Sequence, residues 1–348
     1  MTDASAPPQD AGPPPAVSIV AATFNRPTVL AFAIRSVLKQ EFSDWELIVV
    51  GDRCDEATGE RVASFADPRI RYINLARNWG EQSGPNNVGI ARARGKYIAF
   101  LNQDDCWFPD HLRAATEWLE ACGADAVVAR SATVVPPAGQ DDAWCTFLTG
   151  AGRAGRYDPV LTEGPISTLL VKSAVVRAIG PLRSAFDCYA TSSQEWLFRI
   201  WHRGFDISCM PHLTVLLVSS GLRPLSYVKS DAPEHAFFEP QFERPLQLRL
   251  LLLDRCRAPP QRPHWRRLAK SVAVIGLRAA AHLGWAPSEL VPRFYLGFRR
   301  GTFINGLRKT RGLQAMPERD PSAATLRARY AAELSDGNAK PVLPPDRR

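Results

Sequence analysis

Short apolar runs alternate with helical patterns along the chain from residue 17 onward. Predicted strands cover residues 17–22, 46–50, 69–74, 97–101 and 126–129. Between them, apolar residues at helical spacing predict helices from residue 27 and over residues 58–65, 86–94 and 111–122. After residue 129 the pattern becomes irregular, and helices are predicted again over 173–179 and 193–203. This alternation is typical of an α/β fold in which βα units surround a mostly parallel sheet.

Changes in composition along the chain predict four segments. Residues 1–16 are rich in Pro and Ala and should form a disordered tail, followed by the main α/β domain at 17–232. A basic, mainly helical extension is expected at 233–334, and a polar, Pro-rich disordered tail at 335–348.

The full chain of 348 residues has a net charge of +8, and the extension supplies this positive excess. Residues 261–312 contain eleven Lys and Arg residues, and Glu289 is the only acidic residue in this range. Leu268, Val272, Ile275 and Ala279 fall on one helical face. Two interpretations remain open: an amphipathic extension on an anionic membrane surface, or a helical cap on the main domain with a solvated basic face.

The cysteines and the apolar segments bear on the cellular compartment. The seven cysteines are scattered without a CxxC pair, which favours reduced thiols in a cytosolic protein. The first sixteen residues do not resemble a signal peptide, and we predict no transmembrane helix. The expected location is the cytoplasm, with peripheral association at the inner face of the membrane if the extension binds lipid. No nucleic-acid-binding motif is recognised, so no nucleic-acid partner is expected.

Acidic residues follow two of the predicted strands. Asp52 comes after ELIVV, and Asp104 and Asp105 come after YIAFL. In an open parallel sheet, ligands bind beyond the carboxyl ends of the strands, and such carboxylates suit Mg²⁺ or Mn²⁺. When these residues are taken alone, ordinary acids in strand-to-helix loops are the more frequent explanation.

Four segments together give a more specific signal: VSIVAATFNRP, DWELIVVGDRCDEAT, DPRIRYINL and GKYIAFLNQDDCWFPDHL. They closely resemble the family 2 glycosyltransferases with the GT-A fold, over about residues 17–112 and more loosely to about 227. The resemblance implies a Rossmann-like, mostly parallel sheet flanked by helices. It also implies inverting transfer of a sugar from a nucleotide-diphosphate donor to a glycan or lipid-linked glycan, with Mg²⁺ or Mn²⁺ as cofactor.

The resemblance assigns roles to individual residues. The opening loop of the nucleotide pocket corresponds to Thr23, Asn25 and Arg26, and the acid that contacts the base or ribose corresponds to Asp52. Asp104 matches the last acid of the DxD motif, which holds the metal.

Two departures from the family pattern affect charge near the donor. Asn102 replaces the first acid of the DxD motif. This replacement keeps a hydrogen-bond acceptor for a ribose hydroxyl or a metal-bound water, but it removes one negative charge. Asp105 is a candidate to supply that charge. Asn86 stands where the family has an Arg, and Arg77 and Arg92 are candidates to supply the missing charge.

The resemblance also implies a general base and a loop that closes on the donor. SSQEWLFRIWHRGFDI resembles the family segment that carries the catalytic Asp, and Glu195 occupies that position. The alternative for Glu195 is a first-turn acid that stabilises the helix dipole. Arg223, in SGLRPLSYV, resembles a loop residue that closes over the diphosphate.

A noncatalytic function is the alternative to an enzyme. Asn102 and Gln194 favour a sugar-nucleotide or glycan-binding subunit of a polysaccharide assembly complex. The presence of Asp104 and Glu195 favours the glycosyltransferase.

Overall fold

The computed structural model describes residues 13–135, 145–229, 232–256 and 264–316. In this part of the chain the strands are β1 (Val17–Thr23), β2 (Trp45–Gly51), β3 (Ile70–Asn74), β4 (Tyr97–Phe100), β5 (Cys106–Trp107), β6 (Ala126–Val135), β7 (Cys145–Thr149), β8 (Leu169–Lys172) and β9 (Ile207–Val218). The helices are α1 (Pro27–Leu38), α2 (Glu56–Ala63), α3 (Ser83–Arg92), α4 (His111–Cys122), α5 (Ser173–Ile179), α6 (Ser192–His202), α7 (Pro233–Phe238), α8 (Pro245–Asp254), α9 (His264–His282), α10 (Pro287–Leu290) and α11 (Thr302–Thr310).

The strands form one mixed sheet in the order β3-β2-β1-β4-β8-β6-β9-β5, with β7 paired to β6. The first four strands are parallel, whereas β8 runs antiparallel to both β4 and β6. The carboxyl ends of β1, β2 and β4 therefore open on the same edge of the sheet, where their loops meet. The predicted α/β class is confirmed.

Helices cover both faces of the sheet because neighbouring strand residues point to opposite sides. Ile19 packs in one core cluster with Leu30 of α1 and Leu119 of α4. The adjacent Val20 packs in a second cluster with Trp196 of α6. Both layers exclude water from the strands, which explains why these strands read as continuous apolar runs.

The second half of the sheet was only partly predicted. The sequence suggests an irregular segment after residue 129, whereas β6 continues to Val135 and pairs with both β7 and β9. β9 contains Pro211 and His212, and its register with β6 shifts between Ala129 and Ser131. A bulge absorbs these two exposed residues, so the strand continues past a proline that reads as a break in the sequence.

The predicted segment boundaries stay predictions. Phe238 of α7 and Leu248 and Leu252 of α8 pack against the sheet residue Cys106. Residues 1–12 and 317–348 lie outside the described residues, as do most of the two predicted disordered tails. Among the described helices, none combines the length and the apolar character needed to cross a bilayer.

A buried carboxylate connects the first two strands at the end of the sheet opposite the loops. Glu46 accepts hydrogen bonds from Ser18 Oγ at 2.7 Å, Arg71 at 2.8 Å and the Arg94 amide at 3.0 Å. Burial by itself would raise the pKa of Glu46, but these hydrogen bonds and the two guanidinium charges outweigh burial and lower it. The ionised form of Glu46 therefore stabilises the fold.

We expect Glu46→Gln to lower the free energy of unfolding at pH 7 by about 2 kcal/mol, because the charge-assisted hydrogen bonds are lost. The folded-state pKa is depressed, so the contribution of Glu46 is complete above the unfolded-state pKa and is lost as pH falls through the folded-state value. Urea unfolding at pH 7 and at progressively lower pH measures this, with the exposed Glu60→Gln as control. Equal stability of Glu46→Gln and the wild type at pH 7 would contradict the prediction.

Candidate functional site

A cavity of about 280 Å³ lies at the edge where β1, β2 and β4 end. Its walls include residues 22–24, 80–82, 102–104 and 190–192, together with residues of α11. The volume is close to the lower end of the range for small-molecule sites. Strand-end loops, the start of α6 and a helix of the C-terminal segment thus share one concave site.

Asp52 lines this cavity and fixes the loop that follows β3. Its carboxylate accepts hydrogen bonds from the amides of Trp79 at 2.6 Å and Gly80 at 2.8 Å. Burial raises the pKa of Asp52 to about 7, and these amide hydrogen bonds only partly offset the shift. The carboxyl group therefore titrates near neutral pH, and it shapes the cavity wall through the loop it holds.

Asp104 and Arg26 form the charged end of the site. Arg26 Nη1 lies 3.6 Å from Asp104 Oδ2, and the Arg26 side chain is 4% exposed. Both terminal nitrogens of Arg26 are buried without a hydrogen-bond acceptor. His235 Nε2 contacts the Asp104 carbonyl oxygen at 2.9 Å, and Ser220 Oγ lies 3.4 Å from the Asp104 carboxylate. The predicted nucleotide-loop arginine and the predicted metal ligand are therefore neighbours.

Gln103 connects three parts of the cavity wall, and the sequence did not single it out. Its Oε1 accepts from Thr23 Oγ1 at 2.7 Å and from the Phe24 amide at 3.0 Å. Its Nε2 donates to the hydroxyl of Tyr227 at 2.7 Å. Thr23 lines the cavity as predicted, and Gln103 fixes its hydroxyl group. The position of Gln103 inside the NQDD motif was the available signal.

The amide of Asn102 holds its acidic neighbour in place. Asn102 lines the cavity, and its Nδ2 donates to Asp105 Oδ2 at 3.0 Å. Asp105 is buried and also accepts from Ser167 Oγ at 2.5 Å and from the Val218 amide at 3.1 Å. Burial and the charge of Asp104 raise the pKa of Asp105. Asp105 points into the protein and does not line the cavity, so it is not placed to compensate for the acid missing at 102.

Asn25, Arg26 and Arg223 do not line the cavity in this structure. Asn25 has a φ of 41°, and its Oδ1 accepts from the Asp55 amide at 2.8 Å, which joins the β1 and β2 loops. Arg223 Nε lies 2.7 Å from the buried carboxylate of Glu234 and links its loop to α7. Both contacts are structural, and the nucleotide-binding roles of all three residues stay predictions.

Glu195 lies in the first turn of α6, next to the cavity. Thr191 and Ser192 line the cavity one turn earlier, whereas the Glu195 carboxylate does not. It contacts Arg199 at 2.9 Å and the mostly exposed Arg183 at 3.2 Å. The role of Glu195 as general base stays a prediction, and the Arg183 contact can open without unpacking the core.

Helix α11 contributes two arginines that the sequence did not assign to the site. Ile304, Leu307, Arg308 and Arg311 all line the cavity. Arg308 is buried and donates to the Gly80 carbonyl at 2.7 Å, so it closes the loop that Asp52 holds. Arg77 and Arg92, the expected sources of positive charge, do not line the cavity. The available signal was the spacing, which puts Arg308 and Arg311 on the apolar face of the helix.

The donor set for a metal is limited to one carboxylate on the cavity wall near Arg26. Across the described part of the chain, no group of three or more His, Cys, Asp or Glu side chains could hold a metal ion. Mg²⁺ and Mn²⁺ are commonly held by one or two carboxylates and complete their shells with substrate phosphates and water. Asp104 fits a metal that binds together with a diphosphate.

Comparison with known proteins identifies the sequence family. The profile described as Glycosyl transferase family 2 matches residues 18–140. Succinoglycan biosynthesis protein ExoO of Rhizobium meliloti is 43% identical over 114 residues, which are 33% of this chain and 32% of ExoO. The UDP-Glc:alpha-D-GlcNAc-diphosphoundecaprenol beta-1,3-glucosyltransferase WfgD of Escherichia coli is 35% identical over 96 residues, 28% of this chain and 38% of WfgD. The matches thus span about a third of the length of these curated relatives.

A solved structure supports the fold. S. aureus TarS in complex with UDP-GlcNAc superposes with a TM-score of 0.51 at 14% identity, covering 79% of this chain and 74% of that one. At this identity the likeness concerns the fold alone, which is the GT-A fold that the sequence resemblance implied. Residues 18–140 thus match glycosyl transferase family 2, and the similarity of the relatives over about a third of this chain agrees with that match.

Proposed function

We propose that the protein transfers a sugar from a nucleoside diphosphate donor to an acceptor hydroxyl, with inversion at the anomeric carbon. The observation that carries this proposal is the cavity at the carboxyl ends of β1, β2 and β4, where Asp52 and Asp104 line the wall and Arg26 lies beside Asp104. The relatives ExoO and WfgD are named for steps in polysaccharide and lipid-linked glycan assembly, which supports a glycan or lipid-linked glycan as acceptor.

Each group has a defined task in this proposal. Thr23, Asp52 and the loop at 80–82 would bind the base and ribose, since they form one wall of the cavity. Asp104 would hold Mg²⁺ or Mn²⁺, which supplies positive charge for the leaving diphosphate when it is bound. Glu195 would accept the proton of the acceptor hydroxyl. Opening of its contact with Arg183 would remove one of the two guanidinium partners of the carboxylate and leave the Arg199 contact in place.

The first test concerns the metal and the nucleotide. Calorimetric titration of UDP, GDP and dTDP, each with and without Mn²⁺, should show metal-dependent binding of one nucleotide. Asp104→Ala should weaken this binding by about tenfold or more, because it removes the metal ligand. Asp44→Ala, which removes an exposed carboxylate elsewhere on the surface, should bind like the wild type. Absence of nucleotide binding under every condition would favour the noncatalytic alternative.

A second test separates the general base from donor binding. Glu195→Gln should lower kcat for donor turnover by about 10²-fold or more while donor affinity stays within about twofold, because the proton acceptor is lost and the cavity wall is kept. Release of the nucleoside diphosphate measures turnover, and calorimetry measures donor affinity. Thermal unfolding of Glu195→Gln and the wild type shows whether loss of the Arg199 contact changes stability instead. The exposed Glu163→Gln is the matched control. Unchanged kcat in Glu195→Gln would exclude this role.

The C-terminal segment adds a peripheral membrane surface to the proposal. Val272 and Ile275, on the apolar face predicted for α9, are 63% and 66% exposed. Trp285, Phe294 and Tyr295 are also exposed in the turns that follow. Arg293 and Arg299 are exposed beside them. Exposed aromatic and aliphatic side chains next to arginines match the interface of an anionic bilayer, so the face is suited to peripheral binding on a membrane.

Vesicle sedimentation tests this surface. We expect the wild type to bind vesicles containing phosphatidylglycerol more strongly than phosphatidylcholine vesicles, because the arginines interact with anionic headgroups. Replacing Trp285, Phe294 and Tyr295 together with Ser should abolish vesicle binding and leave nucleotide binding unchanged. Leu161→Ser, which removes an exposed leucine from the main domain, should bind vesicles like the wild type. Equal vesicle binding by the triple variant would overturn this part of the proposal.

A further inference from the structure

Two arginines from distant parts of the chain contact the same aromatic ring at the cavity. The guanidinium carbon of Arg26 lies 5.1 Å from the ring centroid of Tyr227, and that of Arg311 lies 5.3 Å from it. Tyr227, Arg311 and Asp104 line the cavity, whereas Arg26 does not line it and contacts it through Asp104. Arg26 precedes α1, whereas Arg311 follows α11 and lies outside the family 2 match at 18–140.

Backbone hydrogen bonds position Arg311 against the loop that carries Tyr227. The Leu225 amide donates to the Thr310 carbonyl at 2.8 Å, and the Tyr227 amide donates to the Arg311 carbonyl at 3.2 Å. Arg311 Nε also donates to the Gly221 carbonyl at 3.3 Å. The end of α11 and the 221–227 loop therefore form one unit, and the orientation of the guanidinium is fixed before any ligand binds.

The charges at this end of the cavity are unbalanced. Arg311 has no carboxylate within 4 Å among the described residues, and Arg26 has Asp104 at 3.6 Å. The terminal nitrogens of Arg26 are buried without a hydrogen-bond acceptor. Such donors are costly in a desolvated site unless a ligand satisfies them. Arg311 lines the cavity, so an anion bound there would pair with its guanidinium group.

We propose that Arg311 binds the diphosphate of the nucleotide-sugar donor, so that the C-terminal segment completes the donor site. This inference rests on the proposed function and names a residue that recognises the phosphates. Arginine suits the task because its planar fork can donate two parallel hydrogen bonds to phosphate oxygens. The Tyr227 ring contributes a cation–π contact to Arg311 and to Arg26.

Calorimetry of inorganic pyrophosphate and UDP, both with Mn²⁺ present, tests the inference on the full chain. We expect Arg311→Ala to weaken binding of both ligands by about tenfold or more, because a charge-assisted contact is lost. Arg311→Lys should recover only part of the affinity, since it keeps the charge and loses the fork. Lys309→Ala, an exposed change of the same charge two residues away, should bind both ligands like the wild type.

The outcomes separate this inference from the proposed function. Equal binding of pyrophosphate and UDP by Arg311→Ala and the wild type would overturn the inference and leave the glycosyltransferase proposal intact. Arg311-dependent binding of pyrophosphate without any nucleotide binding in the wild type would support the anion site and overturn the nucleotide-sugar donor. Equal losses in Arg311→Ala and Lys309→Ala would show a nonspecific effect of net charge and would also overturn the inference.

Discussion

The site depends on a guanidinium and a carboxylate that share a desolvated corner of the cavity. Arg26 is almost fully buried, and its nearest carboxylate, that of Asp104, is 3.6 Å away. A charge in this position is tolerated only when other groups compensate for the lost water. The Tyr227 ring and the Asp104 carboxylate provide part of that compensation. The need to compensate the buried charge of Arg26 explains why three separate loops meet beside it.

This constraint requires more of the chain than the family 2 domain. Tyr227 is held by Gln103 on one side and by the backbone of Arg311 on the other. Arg308 bonds the Gly80 carbonyl, in the loop that Asp52 fixes through two amides. Helix α11 therefore closes both ends of the cavity. This closing segment lies outside the family match at residues 18–140.

The sequence predicted the parts of the fold that follow simple periodicity. β1, β2 and β4 are buried on both faces and read as apolar runs, and the carboxylates at their ends follow from topology. β9 was missed because Pro211 interrupts its pattern, and only pairing with β6 across a bulge reveals the strand. Gln103 and Arg311 were missed for a different reason. Their roles depend on contacts with Tyr227 over 124 and 84 positions of chain, which no local pattern encodes.

The basic C-terminal segment turns the apolar faces of its helices in two different directions. On α11 the apolar face is turned inward, so Ile304 is buried and the arginines on the same side reach the cavity. On α9 the apolar face is turned outward, and Val272 and Ile275 stay exposed. The apolar faces of α9 and α11 both favour an apolar environment, because contact there removes apolar surface from water. For α11 this environment is the interior of the protein, and for α9 a lipid surface would provide it. A segment of this kind would hold the donor site close to the membrane on which a lipid-linked acceptor resides.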